Sequence, residues 1–190
     1  MVQVKKVEVE RAILKSAKSL FTKKGYVNTS MAEIARQAKI STANLYIYFK
    51  SKFDIFFTLY AAWLTEYIDD LKRRVDNVDN PRQRLELILL GLWKEIPEKD
   101  NEFSNNLIQA LSTVTPDEHY SRELLIESEA RIDELLMECL PEDAHRYARQ
   151  HLPHLLFMAM DGFVLNKHLG AKTSDVKKIV TLICDVLLVK

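Results

Sequence analysis

The 190 residues carry 27 Lys and Arg against 27 Asp and Glu, and 47% of them are hydrophobic, which excludes a disordered tail and leaves enough apolar mass for a real core. Only 4 Gly and 5 Pro, beside abundant Leu, Ala, Glu, Lys and Arg, fit an all-α chain. Cys139 and Cys184 have no metal-ligand spacing, no stretch approaches the ~18 uncharged apolar residues of a membrane span, and no signal peptide is evident at the N-terminus, so a cytoplasmic location is expected.

The zero net charge hides an asymmetry. Residues 1–50 hold 10 Lys and Arg against 3 Asp and Glu, and the remaining 140 residues hold 17 against 24. A basic head on an acidic body suits binding of a polyanion at one end.

In chain order, a first helix should end at Gly25, where a left-handed stop follows the cations Lys23 and Lys24. Ser30 with Glu33 spells a capping box for a second helix, whose apolar stripe is Ile34, Ala35 and Ala38. Ser41 opens a third, with Ile40 placed to staple onto Leu45, and Ile40, Leu45 and Phe49 as its stripe. Ser51 with Asp54 repeats the cap for a fourth. Two short helices joined by about four residues form a helix-turn-helix, the unit that sets one helix in the major groove of DNA.

The body continues as helices. One from about Lys52 to Val75 carries Phe56, Tyr60, Leu64, Ile68, Leu71 and Val75 at three- and four-residue spacing. Asn80 caps the next, Pro81 starts it, and Pro97 is expected to end it. A short helix holds Phe103, Leu107, Ala110 and Leu111. Thr115 to Glu118 reads as another cap, opening a helix to about Cys139. Pro141 and Gly170 bracket the penultimate helix, within which Pro153 implies a kink. Thr173 or Ser174 starts the last, with the stripe Val176, Ile179, Ile183, Val186 and Leu187. About nine helices are expected, with no strand pattern and no internal repeat.

The head can then be compared with known patterns. Gly25-Tyr26, Thr29-Ser30, Ile34-Ala35, Ala38 to Ser41 and Leu45 to Lys52 together resemble the DNA-binding head of the tetracycline-repressor (TetR) family of bacterial transcription regulators. The likeness covers roughly residues 10–56. Two departures stand out: Lys39 occupies a turn position where the family usually has Gly, and Phe53 intervenes before Asp54. Lys39 therefore predicts an altered or strained turn. The resemblance implies an N-terminal three-helix DNA-binding head over 1–50 and a ligand-binding and dimerisation body over 51–190.

Donor chemistry assigns roles within the head. Ser41, Thr42, Ala43 and Asn44 form the first turn of the recognition helix. Asn44 suits a bidentate contact to adenine, and Thr42 or Ala43 a thymine methyl. Tyr46, Tyr48 and Lys50 suit phosphate or sugar. Thr29 and Ser30 can offer hydroxyl and backbone N–H groups to a phosphate. Ile47 is apolar at a usually polar contact position and suits a thymine methyl. Any of these side chains can equally be plain surface.

The penultimate helix is apolar on two faces, Leu152, Leu155, Ala159, Gly162 and Asn166 on one and Phe157, Met160 and Val164 on the other. Such a helix is covered all round. Pattern alone also admits the central helix of a monomeric core. The resemblance implies a homodimer in which the last two helices pair into a four-helix bundle, bringing in Ile179, Ile183 and Val186. It also implies a small-molecule effector among the middle helices, with Phe57, Trp63, Tyr67, Trp93, Phe103, Leu107, Tyr120, Phe157 and Met160 as candidate lining residues. Their character suits an apolar or aromatic molecule. The same aromatics serve equally well as core.

No catalytic set is expected. There is no phosphate-cradling glycine loop, no His-Glu-x-x-His and no nucleophile elbow, and adjacent acids such as Asp69-Asp70 face different sides of a helix. His151 and His154 flank Pro153, and a structural role is favoured over a metal site. The expected function is a ligand-released repressor on a pseudo-palindromic operator, needing no cofactor. A helical interaction module without sequence reading, or an all-α enzyme, is the alternative.

Overall fold

The computed structural model describes residues 2–99, 103–113, 122–170 and 175–188. All regular structure among them is helical: α1 (Val2–Lys24), α2 (Met31–Gln37), α3 (Thr42–Tyr48), α4 (Lys52–Asp76), α5 (Pro81–Leu90), a π-helical segment (Gly91–Glu95), α6 (Ile96–Lys99), α7 (Phe103–Leu111), α8 (Glu123–Met137), α9 (Glu142–His168) and α10 (Val176–Leu187). The stretch from α5 through α6 has no break, so nine helical rods are present among the described residues. The expected caps at Thr115 to Glu118 and at Thr173 or Ser174 lie outside the described residues, as does Tyr120.

The chain packs into two compact units. Residues 1–63 with 101–120 form the first, and 64–100 with 121–190 the second, so the division falls inside α4. In the first unit α1 packs on α2 and α2 on α3. Ile13, Ala17 and Phe21 line one side of α1 at four-residue intervals and are buried with Ile34, Leu45, Phe49 and Phe56. In the second unit α5 lies against α8 and α10, and α9 against α8 and the π segment. Its core includes Leu71, Leu85, Leu89, Leu92, Ile132, Leu136, Phe157 and Met160, and the Trp93 indole N–H donates to the Leu156 carbonyl at 3.0 Å. Cys139 and Cys184 are buried free thiols, both pushed up to about 11 by burial and so protonated at neutral pH.

Pro97 does not end its helix. The five-residue π segment precedes it, with the Ile96 N–H reaching back to the Gly91 carbonyl. That wider turn shifts the carbonyl ladder just before the residue that lacks an N–H, and the helix continues to Lys99. Gly91 is required here by close approach: a Cβ would lie 2.9 Å from Leu71 Cδ1 and 3.3 Å from the Tyr67 hydroxyl. That hydroxyl donates to the Gly91 carbonyl at 2.9 Å.

The turn between α2 and α3 shows the strain that Lys39 predicted. Its φ is +59°, the only positive value at a non-glycine residue among the described residues. Lys39 N–H donates to the Arg36 carbonyl at 3.2 Å and Ile40 N–H to the Ala35 carbonyl at 3.0 Å, which is a Schellman ending. The left-handed conformation costs an L-residue roughly 1–2 kcal/mol. Lys39→Gly is therefore expected to stabilise the fold by about 1 kcal/mol, once the added chain entropy of Gly is allowed for. A higher denaturant midpoint at unchanged m-value would show it. A lower midpoint would mean that the Lys39 side chain contributes more than its backbone costs.

Candidate nucleic-acid interface

Each short head helix begins with a side-chain cap. The Ser30 hydroxyl accepts the Glu33 N–H at 3.3 Å, and the Glu33 carboxylate accepts the Ser30 N–H at 3.1 Å. The same carboxylate receives the Lys24 ammonium at 2.6 Å, and this contact, with the Ser30 N–H, holds its pKa down from 4.5 to about 2. The Ser41 hydroxyl accepts the Asn44 N–H at 3.1 Å, and the Ser51 hydroxyl accepts the Asp54 N–H at 3.0 Å. Asp54 in turn accepts the Lys50 N–H at 3.1 Å. These bonds fix where α3 starts and how α4 follows it.

With Leu45 and Phe49 buried, the other side of α3 faces outward. Ser41, Thr42, Ala43, Tyr46, Ile47 and Lys50 are exposed, and Asn44 and Tyr48 are half-buried. Ile47 is 74% exposed, the most of any large apolar side chain in this head. Arg36 and Lys39 are exposed on the preceding helix and turn. A polar and basic helix face carrying one bare branched side chain is chemically suited to phosphates at its edges and a base methyl at its centre.

Thr29 departs from its expected role. It is 2% exposed, its hydroxyl donates to the Gly25 carbonyl at 2.9 Å, and its N–H goes to the Tyr26 carbonyl at 3.2 Å. Both groups close the corner between α1 and α2, leaving neither for a phosphate. Ser30 is exposed, but its N–H and hydroxyl are engaged by Glu33.

Lys52 was not singled out from the sequence. Its ammonium donates to the Tyr26 carbonyl at 2.8 Å and lies 4.1 Å from the centroid of that ring, and burial lowers its pKa. The signal was available: Lys52 and Tyr26 both belong to the pattern that gave the family resemblance.

The expected effector residues separate into two groups. In the first unit Phe103 is buried and Phe57, Trp63 and Leu107 are half-buried, with Trp63 stacked on Phe103 at 5.8 Å. In the second, Trp93, Phe157 and Met160 are buried and Tyr67 is half-buried.

On α9 and α10 two apolar faces are resolved. Leu156, Phe157, Met160 and Val164 face the core with Val176, Val180 and Cys184. Outside lie Leu155, Met158, Gly162 and Leu165 of α9 and Leu169 at its C-terminal cap, with Ile179, Leu182 and Val186 of α10. Leu152, Ala159 and Ile183 of the expected interface are half-buried, and Asn166 is exposed. On α9 the exposed stripe thus keeps Leu155, Gly162 and Asn166 and adds Met158 and Leu165, while Leu169 just after α9 and Leu182 on α10 are exposed beside the expected residues. A helix apolar on both sides leaves the dividing line on its wheel undefined until packing sets it.

His154 pairs with Glu129, Nδ1 to Oε1, at 2.7 Å. No group of three His, Cys, Asp or Glu placed to hold a metal ion occurs among the described residues, and no described helix is long and apolar enough to cross a membrane.

Residues 13–59 match the family model of "Bacterial regulatory proteins, tetR family". The HTH-type transcriptional regulator HbdR of Aromatoleum is 38% identical over 78 residues, 41% of this chain and 34% of that protein. The uncharacterized HTH-type regulator YuxN of Bacillus subtilis is 36% identical over 104 residues, 53% of this chain and 34% of that one. The chain thus spans about a third of the length of these curated relatives (34% in each case). Over nearly the whole chain the fold is that of the transcriptional regulator FadR of Bacillus subtilis, solved with stearoyl-CoA: TM-score 0.62 at 18% identity, covering 94% of this chain and 97% of that one. The capped helix-turn-helix and the family match laid across it lead to one assignment: the head of this chain, residues 13–59, is that of the tetR family of bacterial regulatory proteins.

Proposed function

We propose that the protein is a ligand-responsive transcriptional regulator, a cytoplasmic repressor that binds a pseudo-palindromic DNA operator as a homodimer. Residues 1–50 read DNA, and 51–190 bind the effector and dimerise. The observation that carries this reading is the outward face of α3 and its flanks: Ser41 and Thr42, two tyrosines, a bare isoleucine and Lys50, on a head with 10 basic residues against 3 acidic ones. Asn44, Thr42, Ala43 and Ile47 are the base readers, and Tyr46, Tyr48, Ser41 and Lys50 the backbone contacts.

One seven-residue recognition helix reads too few bases to find a site alone. Two, related by a twofold axis and about one helical turn (~34 Å) apart, read an inverted repeat. The exposed apolar face of α9 and α10 supports pairing with a second copy, since so much contiguous apolar surface on one face marks an interaction site. The buried and half-buried aromatics support an apolar or aromatic effector, and the neighbour solved with stearoyl-CoA makes long-chain acyl thioesters the first class to try. Release follows if the effector favours a head arrangement other than the DNA-bound one.

Selection from a random DNA pool at about physiological salt tests the reading, and recovery of an inverted repeat is the expected result. Enrichment of nothing above background would overturn it. On the recovered site, Lys50→Ala is expected to weaken binding to all sequences alike and to flatten the salt dependence by about one phosphate contact. A changed base preference instead would move Lys50 from phosphate to base reading.

A further inference from the structure

Asn106 is a polar side chain in an apolar cluster. It sits on α7, is 2% exposed, and its Oδ1 accepts the N–H of Tyr26 at 2.6 Å across eighty residues of sequence. Tyr26 follows Gly25, which ends α1 at φ +78°, and begins the link into α2. Its carbonyl accepts the Lys52 ammonium from α4, and its ring packs between Phe21 and Phe56, with centroids at 5.8 and 5.5 Å. Phe56 in turn meets Phe103 of α7 at 6.2 Å. A Cβ on Gly25 would lie 3.6 Å from Asn106 Oδ1 and 3.8 Å from Gln109 Oε1, so α7 runs close along this corner.

We infer that Asn106 is a positioning residue which sets the pose of α2 and α3 by holding the α1–α2 corner, making α7 the element through which an effector acts on the head. This rests on the DNA-reading function proposed above. The main chain of Tyr26 is held at both of its peptide groups, its N–H by α7 and its carbonyl by α4. Four residues farther on, Ser30 caps α2. A shift of α7 either carries the corner with it or breaks a buried hydrogen bond, and water has no ready access to replace that bond. Phe103 and Leu107, at three residues before and one after Asn106, are candidate effector contacts on the same nine-residue helix. Effector contact and head contact therefore share one rigid element, which is the physical requirement for coupling two sites.

A buried Asn retained for stability alone would lower the melting temperature when replaced and leave the DNA affinity of the folded protein unchanged. Asn106→Leu and Asn106→Asp in the full chain separate the two roles, with the inverted repeat selected by the unaltered protein as probe. Binding is measured where circular dichroism shows each variant fully folded. N106L is expected to bind about tenfold more weakly, within the range of measured coupling energies, with faster hydrogen exchange at the Tyr26 amide. N106D keeps an acceptor oxygen in place and should hold affinity within about twofold. If N106L does not fold, N106S withdraws the acceptor with less bulk and is read in the same way. Unchanged DNA affinity in N106L or N106S with a freely exchanging Tyr26 amide would overturn the inference and leave DNA reading intact. Recovery of no repeat by the unaltered protein would overturn both.

Discussion

Leu182→Asp is expected to turn the proposed homodimer into a monomer without unfolding the chain. Leu182 is 60% exposed on α10, so in a single copy the carboxylate sits in water and costs the fold little. In the proposed twofold interface the same change would bury two unpaired carboxylates in an apolar surface, to which Leu155, Met158 and Leu165 of α9 are the exposed candidates in the single chain. Leaving a charge unpaired in such an interface costs about 2–5 kcal/mol, and twofold symmetry applies it twice. The dimer dissociation constant should therefore rise by roughly a thousandfold or more. Sedimentation equilibrium would show the monomer, and helicity by circular dichroism would stay unchanged. Binding to a full inverted repeat should collapse to the level of a half-site, because the second head is no longer tethered. A dimer that persists with the charge in place would remove α10 from the interface.

Phe56→Ala should have the largest effect on stability. Phe56 is fully buried, and its ring lies 5.4 Å from Phe21, 5.5 Å from Tyr26, 6.3 Å from Tyr60 and 6.2 Å from Phe103. It thus joins α1, the α1–α2 corner, α4 and α7. Truncating a core phenylalanine costs about 3–5 kcal/mol through lost burial and the cavity left behind. Domains of this size have only about 5–15 kcal/mol in total, so the first unit should populate unfolded forms at growth temperature. Chemical denaturation would read the loss as a lower midpoint. DNA binding should fall together with the folded fraction, unlike Lys50→Ala, which acts on a folded head. A loss under about 1 kcal/mol would mean that neighbouring rings close over the gap.

What was legible in the sequence had local causes. The caps at Ser30, Ser41 and Ser51 are each decided within three residues, by a hydroxyl and an N–H that must meet if a helix starts there. The stop at Gly25 and the strain at Lys39 are likewise properties of one residue's own backbone. Those signals placed the head and its recognition helix, and the spacing of Leu45 and Phe49 settled which face of α3 looks inward. Residue type alone misled at two positions where the folded backbone nearby decides. Thr29 looks like a phosphate ligand by type and position, yet it is sealed into the corner between α1 and α2. Pro97 stops helices by rule, yet a π segment just before it lets the helix pass.

The sequence by itself thus determined an all-α chain, a capped helix-turn-helix with the outward-facing residues of its second helix, and an apolar pair of C-terminal helices. These follow from periodicities and caps whose energies act over one or two turns. Only tertiary structure decided that α7 packs with the head, that Asn106 and Lys52 hold the main chain of Tyr26, and that the outer face of α9 runs through Met158 and Leu165 rather than Leu152 and Ala159. Such facts depend on which residues meet across tens of positions in the chain. A helical wheel with two apolar sides, or a lone asparagine in a short helix, carries no record of the partner it will meet.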